Sequence, residues 1–336
     1  MIDKKIAIIG GVGFIGHNLA LHLKKLGAEV FLIDSLAVNN INSVIDNKDN
    51  LPNPELAYSF LNERIKLINQ EKIKLFIQDA RDYHALSKIL DSIKPQIIIH
   101  LAAVSHSNRS NKDPYSTFDH SLRTLENALD CSKNKVEQFI YFSSSMVYGN
   151  FNEKNVSEDT ECNPIGIYGA LKFSGEKLVI AYNQVFDLPY TIIRPSALYG
   201  ERCISRRVGQ IFIENAIQNK PIIIDGDGDD KLDFTYINDL MHGIEMVIRN
   251  QNSKNQIFNI THGNGRPIKK LIEILKESFP KIEIKKQERD KLMPERGTLS
   301  IEKAKKLIEY QPTWILEKGY KEYINWYKNI FLSQKT

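Results

Sequence analysis

Lys5-Ile6-Ala7-Ile8-Ile9-Gly10-Gly11-Val12-Gly13-Phe14-Ile15-Gly16 is the stretch whose reading decides the fold. Its first half is a short isoleucine-rich run, the pattern of a strand buried on both faces. Its second half places Gly10, Gly13 and Gly16 where a chain turns sharply into a helix. Residues without a Cβ let backbone approach a phosphate, and a helix starting at the turn offers unpaired N–H groups and a positive dipole end. The spacing predicts a strand, a phosphate-binding turn and a helix, with Gly10, Gly13, Phe14, Ile15 and Gly16 forming the turn.

Working outward, similar apolar runs recur at 29–33, 73–77, 96–101, 138–142 and 190–193, separated by helix-periodic segments at 17–25, 85–92, 115–132 and 170–185. This alternation predicts an α/β fold, a doubly wound parallel sheet of Rossmann type. The connection 39–70 is long and holds a helix-like stretch at 54–69, which reads as a surface insertion. After Arg194 the rhythm changes. The expected organisation is a dinucleotide-binding domain over 1–193, with 231–262 returning to it, and a smaller mixed α/β substrate domain over 194–336.

Composition excludes several classes. The 45 basic and 41 acidic side chains leave a formal charge of +4, too dilute a surplus for a nucleic-acid partner. Cys131, Cys162 and Cys203 have no paired spacing, which argues against a disulfide framework or a cysteine zinc site and for a reducing cytoplasm. No apolar run approaches the ~20 residues that cross a bilayer, so no membrane partner is expected, and no metal.

Asp34 closes the second strand, 18 residues past Gly16, where its carboxylate can accept hydrogen bonds from an adenosine ribose. It would repel a 2′-phosphate, and with no basic neighbour in sequence NAD is favoured over NADP. Asp79-Ala80 follows the third strand, and His100-Leu101-Ala102-Ala103 closes the fourth. Small residues there let a cofactor lie against the sheet, and Asp79 can reach an adenine amino group. His100 reads as a hydrogen-bonded core histidine.

Of fourteen tyrosines only Tyr168 has lysine four residues on, at Lys172. The pair opens a helix one crossover after Ser143-Ser144-Ser145, and the spacing puts both side chains on one helical face. An ammonium beside a phenol favours the phenolate, so Tyr168 reads as a general base.

The ensemble resembles the extended short-chain dehydrogenase/reductase superfamily, and in pattern its NAD-dependent nucleotide-sugar epimerases and dehydratases, with UDP-sugar 4-epimerases nearest. The resemblance rests on 10–16, Asp34, Asp79, 100–103, 143–149, Tyr168 and Lys172, 194–200, Asp233-Phe234-Thr235-Tyr236, 295–304 and Tyr310-Gln311-Pro312. It implies Ser144, Tyr168 and Lys172 as catalytic residues. For the cofactor it implies the glycine turn, Asp34, Asp79, Ala80, Leu101, Ala102, Ala103, Tyr168 and Lys172. Ser105, Ser145 and Arg296 would meet a nucleotide-diphosphate sugar. The family often forms homodimers, and its usual chemistry serves carbohydrate biosynthesis: oxidation at sugar C4 and reduction from the other face, with no net redox.

Departures from the family pattern narrow the reading. Ser145 and Met146 stand where sugar dehydratases carry an Asp-Glu pair, which disfavours elimination. Ala197 replaces a frequent asparagine and Leu232 a frequent arginine that touches diphosphate, leaving that charge to Lys231 or to Arg296 alone. Arg206 and Arg207 read as a sugar-carboxylate contact or as a solvated pair. Two alternatives stay open beside the epimerase: a one-way nucleotide-sugar dehydrogenase or keto-reductase, and a non-catalytic nucleotide-binding protein.

Overall fold

The computed structural model describes residues 2–37, 40–46, 51–104, 107–151, 153, 155–289 and 293–333. Its contacts divide the chain into two compact units: Met1–Ser143 with Gly166–Ile193 and Val247–Ile257, and Ser144–Ile165 with Arg194–Met246 and Phe258–Thr336. The sequence boundaries fall elsewhere. Residues 144–165 group with the second unit because Ser145 N–H bonds to the Pro195 carbonyl and Phe151 N–H to that of Glu295. The returning stretch is 247–257, where Asn255 N–H bonds to the Tyr190 carbonyl.

The first unit is built on a seven-stranded sheet. β1 (Lys5–Ile9), β2 (Glu29–Asp34), β3 (Lys74–Ile77), β4 (Ile97–His100) and β5 (Gln138–Phe142) are joined by the strands Tyr190–Arg194 and Gln256–Asn259. In space the order is Gln256–Asn259, Tyr190–Arg194, β5, β4, β1, β2, β3. β1 pairs in parallel with β2 and β4, with Ile9 opposite Ile33 and His100. The chain leaves the centre of the sheet in both directions from β1, and such a reversal opens a crevice at the strands' carboxyl ends. Ile6, Ile8, Leu32, Ile99 and Ile140 are fully buried, as strands covered on both faces require.

Two connections differ from their sequence expectation. The helix Pro54–Gln70 is more than a surface insertion, because its Phe60, Leu61, Arg64 and Ile68 are buried. The segment expected as one helix at 115–132 is Pro114–Phe118, a π-helical turn Asp119–Arg123 and a helix Thr124–Ser132. Thr124 and His120 explain the break in part: the Thr124 hydroxyl donates back to the His120 carbonyl at 2.8 Å, a bond that competes with regular helix pairing.

The second unit is assembled from two-stranded pairings: Thr235–Tyr236 with Leu198–Tyr199, Ile284–Gln287 with Ile222–Asp225, Lys231–Leu232 with Arg266–Pro267, and Thr298–Leu299 with Asn155–Val156. Two fully buried carboxylates hold its loops. Asp233 accepts from Gly263 N–H, Leu299 N–H and the Thr261 hydroxyl, each at 3.1 Å. Asp239 accepts from the Thr313 and Trp314 amides at 2.8 and 3.0 Å. The Asp-Phe-Thr-Tyr stretch is thus a structural staple. Among the described residues no helix is long and apolar enough to cross a membrane.

Candidate active site

β1 runs into a turn that only glycine can make. Gly10 has φ +85°, and a Cβ there would stand 2.8 Å from the Ala102 nitrogen, where β4 ends. A Cβ on Gly16 would meet the Gly10 carbonyl oxygen at 2.5 Å, and one on Gly11 would meet Leu32 at 2.7 Å. Gly13 N-caps the helix α1 (Phe14–Lys25), supplying no capping side chain, and the first helical turn carries no acid. Its leading N–H groups therefore face an acceptor-poor turn at a positive helix end. That is the cradle a pyrophosphate fits.

Asp34 closes the cradle. Its carboxylate accepts Val12 N–H and Leu36 N–H, both at 2.8 Å, and burial raises its pKa against the pull of those amides and of Arg64. Each carboxylate oxygen retains a second lone pair for a ribose hydroxyl. Arg64 corrects the sequence reading that no cation serves Asp34. It is fully buried, lies 52 positions beyond Val12, and donates to that residue's carbonyl at 3.2 Å. Buried and donating to the backbone of the turn, it supports the cradle. An arginine inside an amphipathic helix carries no sequence signal of this role.

Asp79 is more occupied than expected. Arg81 grips it through Nε at 3.0 and 3.1 Å and through its terminal nitrogen at 2.6 Å, and donates to Asp119 at 2.7 Å. The Arg81 hydrogen bonds hold the Asp79 carboxyl below its ordinary pKa. Asn127 fastens the same corner by donating to the Ala80 and Arg81 carbonyls, each at 2.9 Å. Leu101, Ala102 and Ala103 are half-buried at the end of β4, and Leu101 N–H bonds to the Ile9 carbonyl.

His100 is a core residue, 1% exposed, with its ring stacked on Phe139. It is not hydrogen-bonded as the sequence suggested. Among the described residues neither ring nitrogen has a hydrogen-bond partner, and burial pushes its pKa down to about 3, so it is neutral. Ser105 lies outside the described residues.

The helix Gly166–Phe186 brings Tyr168, Lys172 and Glu176 onto one face at successive turns. Its start is fixed by Asn111, whose side-chain oxygen accepts Ile167 N–H at 3.2 Å. Tyr168 is half-buried, Lys172 6% exposed and Glu176 1% exposed. The Lys172 ammonium donates to the Phe142 carbonyl at 2.7 Å, at the end of β5. Burial presses its pKa down to about 8, and the field of Glu176 pulls it back up. Glu176, which the sequence reading missed, also accepts from the Ser143 hydroxyl. Its signal was the further i,i+4 step beyond Lys172.

In the second unit Ser144 and Ser145 are buried. The Ser144 hydroxyl accepts Met146 N–H at 3.2 Å, capping the short turn Ser145–Tyr148. Arg194 is structural, donating to the Tyr148 hydroxyl at 2.9 Å. Ala197 sits at φ +37°, a region asparagine tolerates better than alanine, which gives the frequent asparagine a backbone reason. Arg206 ion-pairs with Glu214 at 3.3 Å, and Lys231 is exposed. Among the described residues no cluster of metal-ligating side chains occurs.

The glycine cradle, the acid that closes β2 and the doubly wound sheet define a dinucleotide-binding α/β protein. The chain belongs to the NAD dependent epimerase/dehydratase family, whose model matches residues 6–261. It is 29% identical over 329 residues to an uncharacterized UDP-glucose epimerase, YtcB, of Bacillus subtilis, covering 94% of this chain and 95% of that protein. It is 30% identical to a UDP-glucuronate 4-epimerase of Thermodesulfobacterium geofontis, over 96% and 95% of the two chains. The crystal structure of the Bacillus cereus UDP-glucuronic acid 4-epimerase, in complex with UDP-glucuronic acid and NAD, superposes with a TM-score of 0.86 at 27% identity, covering 97% of this chain and 99% of that one.

Proposed function

We propose that the chain is an NAD-dependent nucleotide-sugar epimerase that inverts C4 of a UDP-linked sugar. The observation that carries this reading is the buried Lys172 beside Tyr168 on one helical face, in a unit whose glycine turn fits a dinucleotide pyrophosphate. The relatives' UDP-glucose and UDP-glucuronate make those two the first substrates to try.

Bound NAD supplies a reversible two-electron acceptor for the carbinol C–H. Tyr168 as the phenolate takes the proton of the sugar hydroxyl, becoming the phenol, and returns it when the ketone is reduced. Lys172, whose buried ammonium stabilises a neighbouring phenolate, also holds the nicotinamide ribose. Gly10, Gly13, Phe14, Ile15 and Gly16 bind the pyrophosphate, Asp34 the adenosine ribose, and Asp79 with Ala80 the adenine edge. Leu101, Ala102 and Ala103 form the floor. On the substrate side Ser144 hydrogen-bonds the reacting oxygen, with Ser105, Ser145 and Arg296 as further contacts. The unit containing the glycine turn is the cofactor domain, and the unit containing Arg296 the substrate domain.

The finer setting belongs to the same proposal. Cys131 and Cys203, both buried thiols, suit a reducing cytoplasm. Exposed Tyr115, Phe118 and Val185 offer apolar surface for a homodimer, which sedimentation velocity would register.

The deciding experiment incubates the purified chain with UDP-glucuronate or UDP-glucose and no added cofactor, in deuterated water. The proposal requires the C4 epimer with no deuterium on carbon and no accumulated NADH. Stoichiometric NADH would instead identify the dehydrogenase.

A further inference from the structure

The first unit carries a cavity at the end of its sheet opposite the glycine cradle. Its volume of about 400 Å³ falls within the ~300–1,000 Å³ range of small-molecule sites. Leu90, Pro95, Ile98, Cys131 and Val136 form the walls. Ile98 is the second residue of β4, and Pro95 and Val136 precede β4 and β5, so the cavity lies at the amino ends of the strands. The cofactor crevice lies at their carboxyl ends, separated from it by the length of β4, roughly 10 Å.

Two helices end beside the cavity: Tyr83–Ile93 supplies Leu90, and Thr124–Ser132 supplies Cys131. Leu90, Ile98 and Cys131 belong to the buried core, and Val136 packs against it, so the cavity is preformed. Burial raises the pKa of the Cys131 thiol, which leaves it a neutral part of an apolar wall.

The polar lining residues Asp91, Lys94 and Lys135 are all exposed and form the mouth. Lys135 donates to Asp91 at 2.9 Å, which spends one charge of each sign. The Lys94 ammonium has no ion-pair or hydrogen-bond partner among the described residues. One positive charge thus stands unanswered over an apolar chamber. A molecule with an apolar body and a single negative charge matches both features, whereas a neutral one leaves Lys94 unanswered and a cation is repelled by it.

We infer that this cavity is a second ligand site and takes a medium-chain aliphatic carboxylate, its tail against Leu90, Ile98, Cys131 and Val136 and its head at Lys94 and Lys135. The inference does not depend on the nucleotide-sugar reading, because none of these residues serves the cofactor or the sugar.

The test is calorimetric titration of the full-length protein with octanoate, hexanoate, octan-1-ol and octylamine. Octanoate is expected to bind about tenfold more tightly than hexanoate, because each buried methylene is worth roughly fourfold in affinity. It should also bind more tightly than octanol, and octylamine not measurably. Saturating NAD should leave octanoate affinity unchanged. Octanoate should slow alkylation of Cys131 by N-ethylmaleimide but not that of Cys162, as read by peptide mass spectrometry. Val136→Trp fills the cavity and is expected to weaken octanoate by about tenfold or more. Asp91→Asn releases Lys135 and should tighten octanoate about two- to fivefold, Lys94→Gln should weaken it by a similar factor, and both should leave octanol unchanged. Octanoate that fails to bind, or that competes with NAD, overturns the inference. So does an octanol affinity that follows the octanoate affinity through both mouth substitutions, since Lys94 would then serve only the negative end of the helix Tyr83–Ile93. If Val136→Trp does not fold or Cys131 does not react, the opposite signs of Asp91→Asn and Lys94→Gln decide.

Discussion

The Asp79–Arg81–Asp119 network of the first unit and the Arg207–Asp230–Arg289–Arg296 cluster of the second have opposite charge counts. In the first, one guanidinium serves two carboxylates, and each of its three nitrogens donates. In the second, Asp230 accepts from Arg289, and among the described residues one buried nitrogen on each of Arg207, Arg289 and Arg296 has no hydrogen-bond partner. A balanced network is complete within the chain and holds its loops in place. An unbalanced one leaves buried donors without acceptors. The same two residue types thus make a closed network in one unit and an open one in the other.

The largest expected effect calibrates this comparison from outside both clusters. Tyr168→Phe removes the proton-transferring hydroxyl and is expected to lower turnover about 10²- to 10⁴-fold while leaving UDP affinity intact. A parallel loss of UDP affinity would show that binding and chemistry are not separable here. The Lys172/Glu176 pair is a third charge arrangement, one buried cation facing one buried anion. The ammonium is present below about 8 and lost as pH rises through that value. Glu176→Gln removes the field that holds its pKa up, so the alkaline limb of kcat should move to lower pH, and an unmoved limb in a pH–rate profile would deny Glu176 this positioning role.

The comparison itself is sharpened by exchanging the two arginines as targets. Arg81→Gln should leave UDP binding unchanged and cost up to about 1 kcal/mol of stability, since the pair is partly exposed. Arg289→Gln breaks the Asp230 pair and, that pair being likewise partly exposed, should cost a similar amount. A much larger loss for either in thermal melts would show that solvent does not screen that pair.

Asp233 extends the comparison to a carboxylate whose hydrogen-bond donors are all uncharged. Asp233→Asn turns an amide NH₂ toward those donors and should destabilise the chain by about 1–3 kcal/mol in urea unfolding. Burial pushes the Asp233 pKa from 3.8 up to about 6. Between those values the folded chain keeps a proton that the unfolded chain has shed, so this group's contribution to stability falls as pH rises through the window and is level above it. The Asn variant should lack that decline. The smallest effect belongs to the uncharged backbone: Ala197→Asn, at φ +37°, should raise stability by up to about 1 kcal/mol, measurable as a shift in the urea midpoint.

Legibility in the sequence followed the range of the interactions. The glycine turn, the strands around it and the Tyr168/Lys172 face were readable because each depends on residues close in sequence. Glu176 was missed, though the same spacing announces it. Arg64 and Asn127 were not readable, because the carbonyls they bind lie 52 and about 46 positions away. The arginine cluster was only half visible. Arg296 stands in a recognisable stretch, whereas Arg289 has no local pattern to mark it.

The sequence by itself determined the doubly wound sheet, the phosphate-binding turn and the i,i+4 phenol–ammonium face, since hydrophobic period, glycine spacing and helical pitch are local rules. The tertiary structure alone decided which charges are spent and which remain to be used. Asp79 is held by Arg81, and among the described residues His100 and buried nitrogens of Arg207, Arg289 and Arg296 have no hydrogen-bond partner. The physical reason is that a charged group's role is set by the partners that folding brings within hydrogen-bond reach. Those partners come from parts of the chain that no short pattern connects.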